Sequence, residues 1–410
     1  MKEKKLIVIG GGAAGFFCAV NAARMNPSLK VTIIEKSNKL LSKVRISGGG
    51  RCNTTHACFD MEELSRKYPR GQHFVKKAFH WFNTNDTIAW FLERGVKLVA
   101  EKDGRMFPDT NDSATIIHCL LKEADKYGIE IKLQTELKYI EPEASGFSIH
   151  LAGSPKLAAD YLCVACGGYP KPAMFDWLKQ LKHTIETPLP SLFTFNMPGN
   201  PLNSLMGVSV ENALIKIAGT KLKEQGPLLI THWGMSGPAI LKLSAWGARI
   251  LADMNYQFQI TVNWLPEYPE QELRKDWTSF RETYAAMKMG NKNPFNLPSR
   301  LWIYHLECSN ISPDIRWADL PAKHQNKLIS QLTTQIFEVK GKTTFKEEFV
   351  TCGGIRLSEI NPNTMESKTQ PNLFFAGEVM DVDGITGGFN FQHAWTSGWI
   401  AARAISLAAK

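Results

Sequence analysis

The stretch KKLIVIGGGAAGFFCAVNAARM, residues 4–25, constrains this chain more than any other. The apolar run at Leu6–Ile9 reads as a strand, Gly10-x-Gly12-x-x-Gly15 as a tight turn, and the small residues beyond it as a helix. KVTIIEK at 30–36 reads as the next strand and carries Glu35, twenty residues after Gly15. GxGxxG alone is a weak signal. Flanked by strand, helix, second strand and terminal acid, it specifies a βαβ dinucleotide site. Gly10 permits the turn, Gly12 lets the backbone approach a diphosphate, and Gly15 lets helix and strand pack closely. The amides at the helix start, including those of Ala13 and Ala14, favour negative charge there. Glu35 is placed to accept hydrogen bonds from ribose hydroxyls, with Lys36 beside it.

A chain of 410 residues with 44% hydrophobic content exceeds one typical core, so two or three domains are expected. The first twenty residues begin with Lys2, Glu3, Lys4 and Lys5 and hold four glycines, unlike a signal peptide. No apolar run approaches the roughly 20 residues of a membrane span, and a cytoplasmic location is expected. Eight cysteines are scattered without a disulfide framework. Cys163 and Cys166 form a CxxC inside the apolar strand YLCVACGG, with no second pair at zinc spacing, so strand thiols are expected and no metal site. The net charge of +9 is uneven: residues 36–82 carry ten Lys/Arg against Asp60, Glu62 and Glu63, a local +7. Two readings stay open, a solvated face with a few phosphate-serving residues, or a surface for a polyanion.

Segment 76–94 has helical spacing, with Phe79, Phe82, Ile88, Phe91 and Leu92 on one face, and NDSA caps a helix over 111–127. IEIKLQTELKYIEPE and GFSIHLA read as meander strands, and ADYLCVACGG returns to a parallel sheet. From about 188 the texture changes to short β runs, then to a mostly helical stretch. The spacing predicts a nucleotide-binding domain of residues 1–187 with 347–410, an inserted β-rich substrate domain of 188–265 with 336–346, and a helical subdomain of 266–335. In the tail, Leu373–Ala376 is a strand ended by Gly377-Glu378, and Gly387-Gly388 precede a helix from near Phe389–Asn390. A second helix N-terminus thus reaches the same sheet edge as the first.

That convergence resembles the layout of glutathione-reductase-like FAD enzymes, in which a C-terminal strand end supplies a carboxylate to the ribityl chain; Glu378 in FAGE matches it. The blocks KVRISGGGRCNTTH, GRMFPDTNDSATIIHCLL, THWGMSGPAIL, TCGGIRLSEINPNTMESK and LFFAGEVMDVDGITGGFNFQHAW resemble, in order, the bacterial BaiN- or YhiN-type NAD(P)/FAD-dependent oxidoreductases. The resemblance implies an α/β fold: a Rossmann-like FAD-binding domain interrupted by an inserted β-rich domain with a helical subdomain. It implies FAD as cofactor, NAD(P)H as transient donor, and an unsaturated substrate, either a steroid-like small molecule or a uridine in ribosomal RNA. After CGGYP the chain departs from the family pattern, with Lys171-Pro172-Ala173-Met174-Phe175 in its place.

Backbone amides of Phe389, Asn390 and Phe391, after Gly388, are expected at the flavin pyrimidine edge. Ser47, Gly48, Gly49, Arg51, Cys52 and Asn53 are expected along the FAD, with Gly167 and Gly377 beside it; Lys43, Arg45 and Arg51 either offset the diphosphate's charge or meet an anionic substrate. His232 in THWGMSGPAIL is a candidate proton donor, with Trp233 to stack on a planar ring. Thr351 and Cys352 in TCGG are further candidates, as is Cys52. Cys52 and Cys58 invite comparison with disulfide reductases, but five residues separate them where those enzymes have four. The leading reading is hydride transfer from NAD(P)H through flavin N5 to an unsaturated substrate. The alternatives are thiol–disulfide exchange through Cys52 and Cys58, and a non-catalytic flavin-loaded RNA-binding protein. Residues 36–82, where Tyr68, Phe74, Phe79, Trp81 and Phe82 alternate with cations, are expected to bind RNA weakly. There is no second complete GxGxxG–acid unit, hence no dedicated nicotinamide domain, and the sequence sets no oligomeric state.

Overall fold

The computed structural model describes residues 3–344 and 350–410. The chain divides into two units, Met1–Ser191 with Phe345–Lys410, and Leu192–Thr344. The first is built on a five-stranded parallel sheet. In chain order its principal elements are β1 (Lys5–Ile9), α1 (Ala13–Met25), β2 (Lys30–Ile34), α2 (Ser113–Lys126), β3 (Glu130–Lys132), β4 (Tyr161–Val164), β5 (Leu373–Phe375) and α3 (Phe389–Ala408). The strand order is β5-β4-β1-β2-β3, so the last strand of the chain joins a sheet begun by the first. Parallel strands covered on both faces read as apolar runs, and Leu6, Val8, Ile33, Leu162, Val164 and Phe375 are fully buried.

α1 and α3 pack against each other at their small residues. A methyl group on Gly398 of α3 would stand 2.7 Å from the Ala14 carbonyl oxygen of α1. α2 starts as its sequence prescribes, with Asp112 as N-cap accepting the Ala114 amide at 2.8 Å. The segment 76–94 is not one helix. It is two, Gln72–Ala78 and Thr84–Leu92, because Asn83 and Asp86 form a reciprocal capping box that starts a new helix. The break rotates the faces: Trp90 is buried and Leu92 is exposed. The meander strands Leu137–Glu143, Gly146–Leu151 and Leu157–Ala159 form a three-stranded antiparallel sheet. The two passages of chain nearest the second unit, Ile185–Ser191 and Val350–Ile355, pair antiparallel.

The second unit is a seven-stranded sheet with antiparallel pairings, backed by the helix Pro238–Asp253 and by helices Glu270–Thr283, Ser299–Cys308 and Ala322–Thr333. These last helices share one core with the sheet. Trp264, Trp277, Trp302 and Trp317 lie in the same buried cluster as Phe195, Ile215 and Ile260. Among the described residues no helix is long and apolar enough to cross a membrane.

Candidate functional site

The glycines of the first turn answer three separate steric demands. A methyl group on Gly10, at φ +113°, would sit 2.4 Å from the Ala165 carbonyl oxygen of the neighbouring strand end. On Gly15 it would stand 2.0 Å from the Gly10 oxygen, so strand and helix could not approach. On Gly12 it would meet no atom of the described residues within 4 Å; it would fill the cradle before the amides of Ala13 and Ala14. No side chain caps α1. An anion of dinucleotide diphosphate type fits this helix start, which offers donors and supplies no acceptor of its own. Glu35 stands at the end of β2 and accepts the Gly11 amide at 2.9 Å and the Ser37 amide at 2.8 Å. Those bonds fix the carboxylate and use one lone pair on each oxygen, which leaves the others for hydroxyl donors. Lys36 lies 5.7 Å from the ring centroid of Tyr169. The divergent 171–175 segment forms a short 3-10 turn whose Phe175 is buried edge-on against that ring at 4.9 Å.

The loop SGGGRCNT begins with a helical turn from Ser42 and then breaks. Ser47 is extended, and Gly48, Gly49, Gly50 and Cys52 all have positive φ. Gly48 is held against Phe107, whereas Gly49 and Gly50 border no atom that a Cβ would strike. Two of the three cations expected here, Lys43 and Arg51, hold carboxylate partners. Lys43 pairs with Glu378 at 2.6 Å. Arg51 bonds Glu101 at 2.7 Å and lies over the Phe107 ring at 4.0 Å. Glu378 also accepts the Thr351 amide at 2.8 Å. Gly167 and Gly168 lie beside Glu378, and a Cβ on Gly168 would meet the Thr351 hydroxyl at 2.3 Å. The Thr351 hydroxyl is buried and has no hydrogen-bond partner among the described residues. Gly167, Gly377, Glu378, Lys43 and Thr351 are thus gathered at one place.

Cys52 is fully buried, and burial pushes its thiol up to about 11. Cys58 is buried too, and burial raises its pKa. Neither has the exposed, electropositive setting that makes a thiolate. His232 and Trp233 form the two-residue turn between the strands Lys223–Thr231 and Gly234–Ser236 of the second unit. His232 is exposed with its ring edge-on to Trp233 at 4.3 Å, and the Trp233 indole donates to the Thr194 hydroxyl at 3.0 Å.

The start of α3 depends on residues that sequence reasoning missed. Gly388, at φ +94°, is its N-cap and leaves the amides of Phe389, Asn390 and Phe391 without a side-chain cap. Asn53 ties this point to the glycine loop: its carboxamide donates to the Thr55 oxygen at 3.1 Å and accepts the Gly388 amide at 3.0 Å. Thr55 donates to Gln392 at 2.6 Å, and Trp395 donates to the Thr54 oxygen at 2.9 Å. His56 meets the Gly387 oxygen at 2.9 Å and stacks on Phe389, while Tyr68 donates to the Phe389 oxygen at 2.6 Å. Asn390 spends its own side chain on both backbone groups of Gly384. Asp383 is fully buried, gripped through both oxygens by Arg70, and accepts the Ser191 hydroxyl at 2.7 Å. An uncapped helix start held by this frame, facing the same sheet edge as α1, suits an electron-rich ring edge.

A family model described as the HI0933-like protein Rossmann domain matches residues 4–404. The chain is 31% identical over 420 residues to a ribosomal RNA dihydrouridine synthase of Escherichia coli K12, with all of both chains covered. It is 26% identical to a 3-dehydro-bile acid delta(4,6)-reductase of Clostridium scindens, covering 97% of this chain and 98% of the relative. Among solved structures, 3-ketosteroid delta1-dehydrogenase from Sterolibacterium denitrificans shares the fold with a TM-score of 0.52 at 11% identity, over 98% of this chain and 99% of the other. A Rossmann-like FAD-binding unit with a second helix start at its sheet edge, matched along nearly its whole length, places the chain in the HI0933-like family as a FAD-dependent oxidoreductase.

Proposed function

We propose that this protein is an NAD(P)H-linked reductase of a carbon–carbon double bond conjugated to a carbonyl, with uridine in ribosomal RNA as the favoured substrate. The observation that carries the reading is the pair of end-to-end relatives. A dihydrouridine synthase and a delta(4,6)-reductase of a 3-oxo compound differ in substrate size but share that bond type. The two relatives named for dihydrouridine, at 31% and 30% identity, stand nearer in sequence than the bile-acid enzyme at 26%.

When bound, FAD would supply two-electron hydride chemistry between NAD(P)H and the substrate. The chain's part is to hold and polarise. The amides of Ala13 and Ala14, with Gly12 clearing the approach, would hold the diphosphate, and Glu35 a ribose. The Lys43–Glu378 pair would face the ribityl chain. The Phe389–Phe391 amides would stabilise negative charge at the pyrimidine edge. His232 on its exposed turn is the proposed proton donor to the substrate, and the Thr351 hydroxyl a second candidate. The thiol-exchange reading is disfavoured by the buried, high-pKa Cys52.

The test is anaerobic. Bleaching of the flavin band on adding NADH or NADPH is expected, followed by its return with ribosomal RNA and the appearance of dihydrouridine. No bleaching by either nucleotide would refute the donor. Bleaching with reoxidation only by an unsaturated oxo-steroid would replace the RNA substrate with a small molecule.

A further inference from the structure

A cavity of about 290 Å³ opens on the first unit at the N-terminal ends of β1, β2 and β3, the end of the sheet opposite the glycine turn. Lys5 is in register with Lys30, Ile7 with Thr32, and Thr32 with Glu130. Because side chains alternate along a strand, these residues and Lys132 share one sheet face, while Leu6, Val8, Val31 and Ile33 are buried on the other. Ile7 and Thr32 form a buried floor, and Lys156 with Leu157 closes one side.

Four lysines and one carboxylate line this space. Glu130 accepts the Thr32 hydroxyl at 3.1 Å and pairs with Lys132 at 2.6 Å. The Lys132 hydrogen bond lowers its pKa, so it stays ionised and cancels one cation. The neighbouring acid Asp160 is engaged by the Lys4 ammonium and the Lys5 amide, both at 2.8 Å. Lys5 and Lys30 stand side by side in register, an arrangement of like charges that destabilises a strand pair. Three positive charges thus remain in excess over one small concavity, on a sheet face that would otherwise carry apolar residues.

We propose that this cavity is a phosphate-binding site, taking one or two phosphate groups from an RNA backbone or from a free oligophosphate. Clustered ammonium groups, each with rotatable donors, suit a compact, multiply charged oxyanion; the fork of an arginine, suited to planar carboxylates, is absent from the lining. Strands of five residues put the site about 15 Å from the glycine turn, so its occupant does not compete with a dinucleotide there. The proposal is independent of the reductase reading.

The test uses the FAD-loaded full chain and a Lys5→Gln/Lys30→Gln variant. Both residues are exposed, so the fold should tolerate the change, and unfolding by far-UV circular dichroism checks it. Tripolyphosphate is titrated calorimetrically and a short synthetic RNA hairpin by fluorescence anisotropy across a salt series. A loss of about tenfold for tripolyphosphate alone assigns the site to free oligophosphates. A salt slope for RNA lowered by about two assigns it to the backbone. Glu130→Gln should tighten whichever probe binds. If both probes bind variant and parent within about twofold, or neither binds the parent at low salt, the proposal is overturned. Reduction of the flavin by NAD(P)H, followed in parallel, should not change in the variant, so failure of one reading leaves the other standing.

Discussion

Replacing Asp383 by alanine should damage this protein more than any other single change in the α3 frame. The Asp383 side chain is fully buried and the Arg70 side chain only 11% exposed, so the pair lives away from water. Burial raises the carboxyl pKa, and Arg70 and Ser191 act against it. Removing the carboxylate takes two charge-assisted bonds from a guanidinium that cannot lose its proton, and the Ser191 hydroxyl stays in contact at 3.2 Å. Breaking a buried pair in this way costs about 3–5 kcal/mol, which corresponds to a fall in Tm of about 10 °C for a unit of this size. Arg70→Met differs in kind. The abandoned carboxyl can take up a proton, its folded pKa then lies above its unfolded value, and the variant should be most stable at low pH and weaken as pH rises through that folded pKa. The double variant Arg70→Met/Asp383→Leu should be less destabilised than Asp383→Ala, because no charge remains to be desolvated. Thermal unfolding of the three variants, followed by flavin release and by far-UV circular dichroism, checks the series. A fall of less than about 1 kcal/mol for Asp383→Ala, or a double variant as weak as the two singles summed, would show that the pair does not strap the loop before α3.

Gly12→Ala should lower FAD affinity by about 10- to 100-fold, worth about 1.4–2.8 kcal/mol, with little change in apo-protein melting; Gly15→Ala should instead destabilise the fold, since its methyl meets the Gly10 oxygen. Cys52→Ser should leave flavin reduction by NAD(P)H largely intact, and labelling of Cys52 in the parent should stay slow at neutral pH and accelerate only as pH climbs toward about 11. Burial holds His393 down to about 4 and His305 to about 3, below the unfolded value, so stability should be full above about pH 6.5 and fall as pH drops toward 4, by up to about 1.4 kcal/mol per pH unit for each. His393→Phe should flatten its share of that slope in urea unfolding. Neutralising Lys67 and Lys77 should lower the salt slope of RNA binding by at most about two; a larger drop would mean that the basic segment gathers phosphates with its ion-paired cations as well.

The dinucleotide turn was legible because its glycine spacing, flanking strands and terminal acid are all written within one βαβ unit, even though Gly10 also answers to distant Ala165. The α3 frame was not, because its bonds join residues such as Thr55 and Gln392, or Arg70 and Asp383, more than 300 positions apart. Periodicity registers faces of single elements and carries no record of such pairings. The break at 79–83 was written in Asn83 and Asp86, a capping signal outweighed in reading by aromatic spacing. Helical texture set 266–335 apart as a subdomain, yet Trp277 and Trp302 of its helices share one buried cluster with Trp264 and the sheet residues Ile215 and Ile260.

Net charge misleads for a related reason, since a sequence counts charges and a fold pairs them. Of the ten cations in 36–82, Lys43, Arg51, Arg66, Arg70 and Lys76 are in ion pairs, four of them with acids that lie outside the segment or in its own Glu62 and the fifth with buried Asp383. The aromatics between them are mostly core: Tyr68, Phe74, Phe79 and Phe82 are buried, and Trp81, partly exposed, lies under Arg403 at 4.1 Å. The four buried rings cannot stack on bases. The cations of the segment outside these ion pairs are Lys36, Lys39, Arg45, Lys67 and Lys77, spread along the chain. The face of β1, β2 and β3 is the reverse case. Its lysines come from distant stretches that no window on the sequence groups together, and strand register alone sets Lys5 beside Lys30. Affinity for a polyanion depends on charges that neighbour one another in space, and strand register can gather such charges from stretches that no window on the sequence joins.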